Sequence, residues 1–340
     1  MGRRTYLVIA VALVAVSLAA VLYASGTPPS SLGGGDATGN GTPAPTLHAK
    51  GWINSAPLTP ADLKGKVVVY DFWTYSCVNC VRTIPTVRSW YDRYHKDGLV
   101  IIGVHSPEFD FEKVHANVQA AVAKLGVDYP VALDDDMAIW SAFGNSYWPA
   151  DYIYDRKGRQ ASVHFGEGDY AHTEDVLRGL LGVAKDAPRA VVRGTEGGSD
   201  GSAGITEETY NGSERGRAKF ASPQQLVDGP GTFTAPAALQ QGEHALAGRW
   251  NVTGQYVESA EAGATISLQY LAGEVNLVLA TATGGPIDLR VSVDGGPPRV
   301  VHVQAADLYN LVTSDQEAPH TLTLTATVPG LRAFAFTFGG

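Results

Sequence analysis

Cysteine is nearly missing: the 340 residues hold only two, Cys77 and Cys80. Two thiols cannot supply a four-cysteine zinc site or a framework of several disulfides. A bridge across so short a spacing closes almost no loop and would add little stability. His95, His105, His115 and His164 show no paired ligand spacing that could complete a metal site. Positive charge is also scarce. Lys and Arg number 25 against 34 Asp and Glu, for a formal net charge of -9. With no Lys/Arg-rich run to meet phosphates, no nucleic-acid partner is expected. What basic character there is at the N-terminus, Arg3 and Arg4, precedes an apolar run from Tyr6 to Tyr23. That run suits a signal-peptide core or a short membrane span. Ala24-Ser25-Gly26 matches a cleavage site poorly, which favours an uncleaved anchor over residues 1–25, with the remainder outside the plasma membrane; cleavage would make the chain secreted.

Residues 26–46 are mostly Gly, Pro, Ser, Thr and Ala, the composition of a flexible tether. Residues 47–185 predict an α/β domain. Val67-Val68-Val69-Tyr70 and Leu99 to Val104 are short apolar runs suited to buried strands. They alternate with a short helix at Thr59 to Leu63, a helix leaving Cys80 and a helix from Phe111 to Leu125. Met137 to Phe143 reads as a short helix. Ala150 to Tyr154 and Gln160 to Phe165 form a hairpin, and Thr173 caps a last helix. Residues 186–207 read as a second linker. Beyond them apolar residues recur with a period of two, as at Ile266, Leu268 and Tyr270 or Phe334, Phe336 and Phe338. Residues 208–340 therefore predict an antiparallel, jelly-roll-like β-sandwich. Trp250, Tyr256, Tyr270 and Tyr309 are candidate platforms for a cell-wall glycan, set against the ordinary role of aromatics in a sandwich core.

The two cysteines fall where the Val67 to Tyr70 run gives way to the helical spacing of Ile84, Val87, Trp90 and Tyr94. A thiol at such a strand-to-helix turn meets unpaired first-turn N–H groups and the positive end of the helix dipole, which favour a thiolate on the leading sulfur. Cys77 is thus the candidate nucleophile and Cys80 the thiol that resolves a mixed disulfide. A carboxylate buried beneath them, as Asp71 would be, could take the proton from Cys80.

Asp71 lies six positions before Cys77 and Pro85 five after Cys80, while Pro149 stands just before a strand. On these residues Val67 to Pro85 resembles the thioredoxin superfamily. The stretches Val104-His105-Ser106-Pro107-Glu108-Phe109, Tyr147-Trp148-Pro149-Ala150 and His164-Phe165-Gly166-Glu167-Gly168 are similar to its DipZ and TlpA-type branch, and Glu208-Thr209-Tyr210 and Gly248-Arg249-Trp250 extend the likeness. The resemblance implies a thioredoxin fold followed by a carbohydrate-binding-module-like β-sandwich. It also implies a cis Pro149 facing the dithiol, no cofactor other than the redox-active Cys77–Cys80 pair, and disulfide-containing protein substrates. Trp73, Tyr75, Trp148 and the loop carboxylate Glu108 are candidate substrate contacts. One apolar segment stands where DipZ proteins have a multi-helix electron-importing domain, which implies a separate CcdA-like membrane donor. Thr83 occupies the place of a glutamate found in some TlpA-like reductases. The resemblance to TlpA-like proteins implies a disulfide reductase, since Val78 and Asn79 between the cysteines do not fix the direction of electron flow; a disulfide oxidase, a thiol peroxidase through the Thr74-x-x-Cys77 spacing, or a glycan-binding module are the other readings.

Overall fold

The computed structural model describes residues 36–191 and 204–339. The expected anchor over residues 1–25 lies outside them, and among the described residues no helix is long and apolar enough to cross a membrane. The first part is a mixed seven-stranded sheet with helices. Its elements are β1 (Asp36–Thr38), β2 (Gly51–Ile53), β3 (Val67–Trp73), α1 (Val78–Tyr94), β4 (Leu99–His105), α2 (His115–Leu125), β5 (Val131–Leu133), α3 (Ala138–Phe143), β6 (Ala150–Tyr154), β7 (Gln160–Phe165) and α4 (Tyr170–Leu181). The strand order is β1-β7-β6-β3-β4-β5-β2, with β3 parallel to β4 and antiparallel to β6.

All seven residues of β3 are buried, as a run apolar on both faces requires. Val67, Val69 and Trp73 pack with Ile84, Val87 and Trp90 of α1, while Val68, Tyr70 and Phe72 pack with Ile139 of α3 on the other side. Pro85 lies inside α1, where it cannot donate the usual helical hydrogen bond. Gly98, in the left-handed region at φ 102°, turns the chain from the end of that helix into β4.

Four expectations need correction. Residues 59–66 form a succession of turns, with Thr59 closed on Asp62, rather than a helix. The last helix begins at Tyr170, so Thr173 is a buried second-turn residue instead of a cap. Part of the supposed tether is attached: β1 pairs along β7, Asp36 opposite His164, and Pro43 bridges to Arg159. The start of the supposed linker is docked as well. Arg178 donates to the carbonyls of Ala184, Lys185 and Ala187, and the Ala190 N–H donates to Glu174.

The second part is all antiparallel: β8 (Thr209–Tyr210), β9 (Gly229–Phe233), β10 (His244–Val252), β11 (Val257–Ser259), β12 (Thr265–Thr281), β13 (Ile287–Val293), β14 (Arg299–Val303), β15 (Asp307–Ala326) and β16 (Leu331–Gly339). Its hydrogen-bonded path is continuous. The first half of β12 pairs with β10 and the second half with β16, across a register shift between Ala272 and Glu274, so the sheet curls around one apolar core. Trp250 and Tyr270 belong to that core and are fully buried, which removes them as sugar platforms. Tyr256 packs on Phe334, and the Tyr309 hydroxyl accepts from the N–H groups of Gln304 and Ala305.

The two parts share a packed boundary. Phe109 and Phe111, in the loop after β4, meet Phe334 of β16 with ring centroids 5.1 and 4.9 Å away. The Asp110 N–H donates to Gln255 at 3.0 Å beside them.

Candidate active site

Only Thr74, Tyr75 and Ser76 separate β3 from Cys77, the N-cap of α1. The extended backbone of Cys77 (φ -81°, ψ 115°) turns its Sγ over the helix start, where it accepts from the Cys80 N–H at 3.4 Å. The two thiols are free and unequal: Cys77 is half-buried and Cys80 buried. Burial, followed by the hydrogen bond to Cys77, pushes the Cys80 thiol well above its ordinary range. One sulfur can meet another molecule, and the other keeps its proton until something removes it.

Asp71 lies on the same face of β3 as Val69 and Trp73, because side chains alternate along a strand. Its register partner on β4 is Gly103, where a Cβ would come within 2.8 Å of Trp73 Nε1 and 2.9 Å of Tyr129 Cε2. The missing side chain at Gly103 leaves room for both rings beside Asp71's strand partner. The Tyr129 hydroxyl donates to Asp71 Oδ2 at 3.1 Å. Burial nevertheless dominates and raises the Asp71 carboxyl to about 7. Its charge in turn acts on Cys80.

The Trp148–Pro149 peptide is cis. Phe72 pairs with Ala150, so Pro149 sits beside Trp73 at the end of β3 from which the dithiol loop departs. Trp148 is half-buried, packs with the cluster that contains both cysteines, and donates from Nε1 to the Ser106 carbonyl at 3.0 Å. Trp73 and Tyr75 are corrected. Both are buried core residues, Trp73 edge-on to His105 and Tyr75 stacked on it, and neither offers a surface to a substrate. Glu108 is half-buried, and its Oε1 accepts from Tyr210 and Arg215, both at 2.9 Å, so it joins the two parts of the molecule. Thr83, at the expected glutamate position, donates to the Asn79 carbonyl at 2.9 Å within α1. Among the described residues no cluster of side chains could hold a metal ion.

Two charged residues near the dithiol escape sequence reasoning. Arg82, two positions after Cys80, donates from Nε to both oxygens of the buried Glu167 at 3.0 Å, from Nη2 to Asn79 between the cysteines at 2.7 Å, and from Nη1 to Glu274 of β12 at 3.4 Å. The quoted Gly166-Glu167-Gly168 stretch held a signal for it, though not the partner. Glu112 is the other. It is fully buried, and its Oε1 accepts from Thr74 at 2.5 Å and Ser76 at 2.6 Å, the residues leading into Cys77. Its Oε2 accepts from the N–H groups of Glu108 at 2.6 Å and Phe109 at 3.0 Å. Burial raises its carboxyl to about 6, against the pull of the Ser76 and Thr74 hydrogen bonds.

Glu112→Gln keeps one acceptor oxygen but sets an NH2 either against two backbone N–H groups, which cannot accept, or against two hydroxyls, which can accept from it only by leaving their own protons without the carboxylate. Unpaired buried donors of this kind cost about 1–3 kcal/mol. Denaturant titration at pH 7 should show the variant less stable by that amount, and equal midpoints would remove the clamp from this account.

Residues 40–160 match the AhpC/TSA family and residues 206–339 the family described as Thioredoxin like C-terminal domain. The DipZ protein of Mycobacterium tuberculosis is 39% identical over 302 residues, which cover 87% of this chain and 43% of that protein. The chain therefore spans less than half the length of the DipZ proteins it matches. The thiol-disulfide oxidoreductase YkuV of Bacillus subtilis is 30% identical over 127 residues, 37% of this chain and 84% of that protein. The crystal structure of a thiol-disulfide isomerase from Corynebacterium glutamicum is 26% identical and covers 42% of this chain and 98% of its own, with a TM-score of 0.38. With Cys77 at the start of its helix and a thioredoxin-like mixed sheet behind it, the chain belongs to the thiol-disulfide oxidoreductases of the thioredoxin superfamily.

Proposed function

We propose that the chain is a membrane-tethered, extracytoplasmic reductase of protein disulfides in the cell envelope, and that Cys77 and Cys80 carry the electrons. The observation that supports this best is the asymmetry of the pair: a half-buried Cys77 at the helix start, and a buried, protonated Cys80 within the influence of Asp71. The Cys77 thiolate attacks one sulfur of a substrate disulfide, forming a mixed disulfide and expelling one substrate thiolate, which takes a proton from water. Asp71 accepts the Cys80 proton. The Cys80 thiolate then attacks Cys77 Sγ, the Cys77–substrate bond breaks, and the second substrate sulfur leaves as a thiolate that takes up a proton from water, Asp71 releasing the Cys80 proton to solvent. Two electrons pass to the substrate and a Cys77–Cys80 disulfide remains, so no other cofactor takes part. A CcdA-like membrane protein would restore the dithiol.

The reduced full chain should transfer one electron pair per molecule to insulin disulfides. Glutathione equilibration should place its potential nearer to thioredoxin, about -270 mV, than to DsbA, about -120 mV. A potential at the DsbA end would make it an oxidase instead. The AhpC/TSA match keeps a thiol peroxidase in view. Against that, the Thr74 hydroxyl donates to Glu112 instead of turning to Cys77, and Tyr70 stands where peroxiredoxins place a proline. Peroxide consumption faster than insulin reduction would reverse this choice. Glycan binding by the β-domain keeps only Tyr256 and Tyr309 as half-exposed aromatics among the four residues singled out for it.

A further inference from the structure

A cavity of about 200 Å³ opens between the two parts of the molecule. On one side stand Pro107, Met137 and Trp148; on the other, Arg215, Glu214 and Gln255 of the β-domain. Trp148 links this space to the dithiol, since it precedes Pro149 and packs in the same cluster as Cys77. The far wall is held in place. The Glu214 N–H donates to the Gly254 carbonyl at 3.0 Å, and the Gln255 side chain accepts from Asp110. Gly212 is required there, because a Cβ would come within 2.3 Å of the Gln255 backbone. The cavity is smaller than the roughly 300–1,000 Å³ that houses a drug-sized ligand, which suits one large side chain of a polypeptide.

We infer that this cavity is a substrate subsite. It takes a basic side chain of an extended polypeptide whose disulfide lies at Cys77, and the β-domain therefore forms part of the redox site's recognition surface. The inference rests on the disulfide-reductase reading above. Charge decides the class of side chain. Glu108 and Arg215 form an ion pair at 2.9 Å and neutralise one another. Glu208, which accepts from the Tyr210 hydroxyl, adds a second acidic group beside Arg215. Glu214 is exposed and forms no ion pair among the described residues, so of the side chains that line the cavity it is the uncompensated carboxylate. Trp148, Met137 and Pro107 supply the apolar surface along which the methylene stem of a lysine or arginine can lie.

The test uses the full chain, pre-reduced, and two synthetic disulfide-linked peptides that differ only in carrying Lys or Glu beside the cysteine. The quantity read is the ratio of their second-order rate constants for oxidation of the Cys77–Cys80 dithiol in a single turnover, in which any loss common to both peptides cancels. The wild type should prefer the Lys peptide about fivefold, the size of an exposed charge pair. Glu214→Gln should remove the preference, and Glu214→Lys should invert it. A ratio that stays the same in all three proteins overturns the subsite. Reduction of bis(2-hydroxyethyl) disulfide by the wild type separates the two claims. If that reaction is present and the ratio unmoved, the subsite alone falls; if it is absent, the reductase reading falls and the subsite with it.

Discussion

Cys77→Ser should lose reduction of protein disulfides by about a thousandfold or more, whereas Cys80→Ser should lose turnover yet accumulate mixed disulfides. The difference follows from the geometry of the pair. Cys77 is half-buried with its Sγ against an N–H at the helix start, so it alone can meet a substrate sulfur. Cys80 is buried and holds its proton firmly, so without Cys77 it is a poor nucleophile in an inaccessible place. With Cys80 replaced, the first attack proceeds and nothing resolves it. Intact mass spectrometry after exposure to insulin would display the adduct directly. Equal adduct formation by both variants, or none by Cys80→Ser, would overturn the assigned roles.

The legible parts of this chain are those in which side-chain pattern and structure share a cause. β6 and β7 have the bounds that the sequence predicts because both are short apolar stretches around an obvious turn at Arg156-Lys157-Gly158. Asp71 is legible as buried for a similar reason: two residues either way along β3 lie Val69 and Trp73, on one face. The same alternation identifies Trp73 as core, although its neighbourhood to two thiols suggests substrate contact. Composition misleads at residues 36–43, since β1 is held by backbone pairing with β7, which Gly, Thr and Asp can supply as well as valine.

Glu112 lies in a short 3₁₀ turn without any period, and its hydroxyl partners, Thr74 and Ser76, are more than thirty positions away. Nothing local in the sequence announces a carboxylate that receives four donors. Glu108 is illegible for a further reason: its partners Tyr210 and Arg215 belong to the β-domain, which sequence reasoning treats as a separate body. The docked boundary through Phe109, Phe111 and Phe334 makes the dithiol loop and the β-domain neighbours, so the composition of either alone understates the site.

Asp71→Asn should make the protein more stable at pH 8 and slower as a reductase. Burial raises the Asp71 carboxyl to about 7 from 3.8, so the folded state binds a proton that the unfolded chain has released between those values. The stability from that proton is fully present below about pH 4 and is lost as pH rises through 7. At about 1.4 kcal/mol per unit, the total is on the order of 4 kcal/mol. Asparagine can still accept from Tyr129 but never ionises, so denaturant midpoints of the variant and the wild type should diverge as pH rises from 4 to 8. Catalysis should move the other way. Without a carboxylate to take the Cys80 proton, resolution of the mixed disulfide should slow by about a hundredfold at pH 7, the usual size of a lost general base. The wild-type rate of that step should rise through pH 7 and then level off as Asp71 becomes fully ionised, while the variant's, left to the raised Cys80 thiol alone, should stay low and keep climbing with pH. Rapid-quench measurement of mixed-disulfide decay at pH 6, 7 and 8, beside unfolding titrations at the same pH values, reads both effects. A variant that matches the wild type in stability at pH 8 would mean that Asp71 is not the buried proton store inferred from its surroundings. Equal decay rates would mean that Cys80 gives its proton elsewhere.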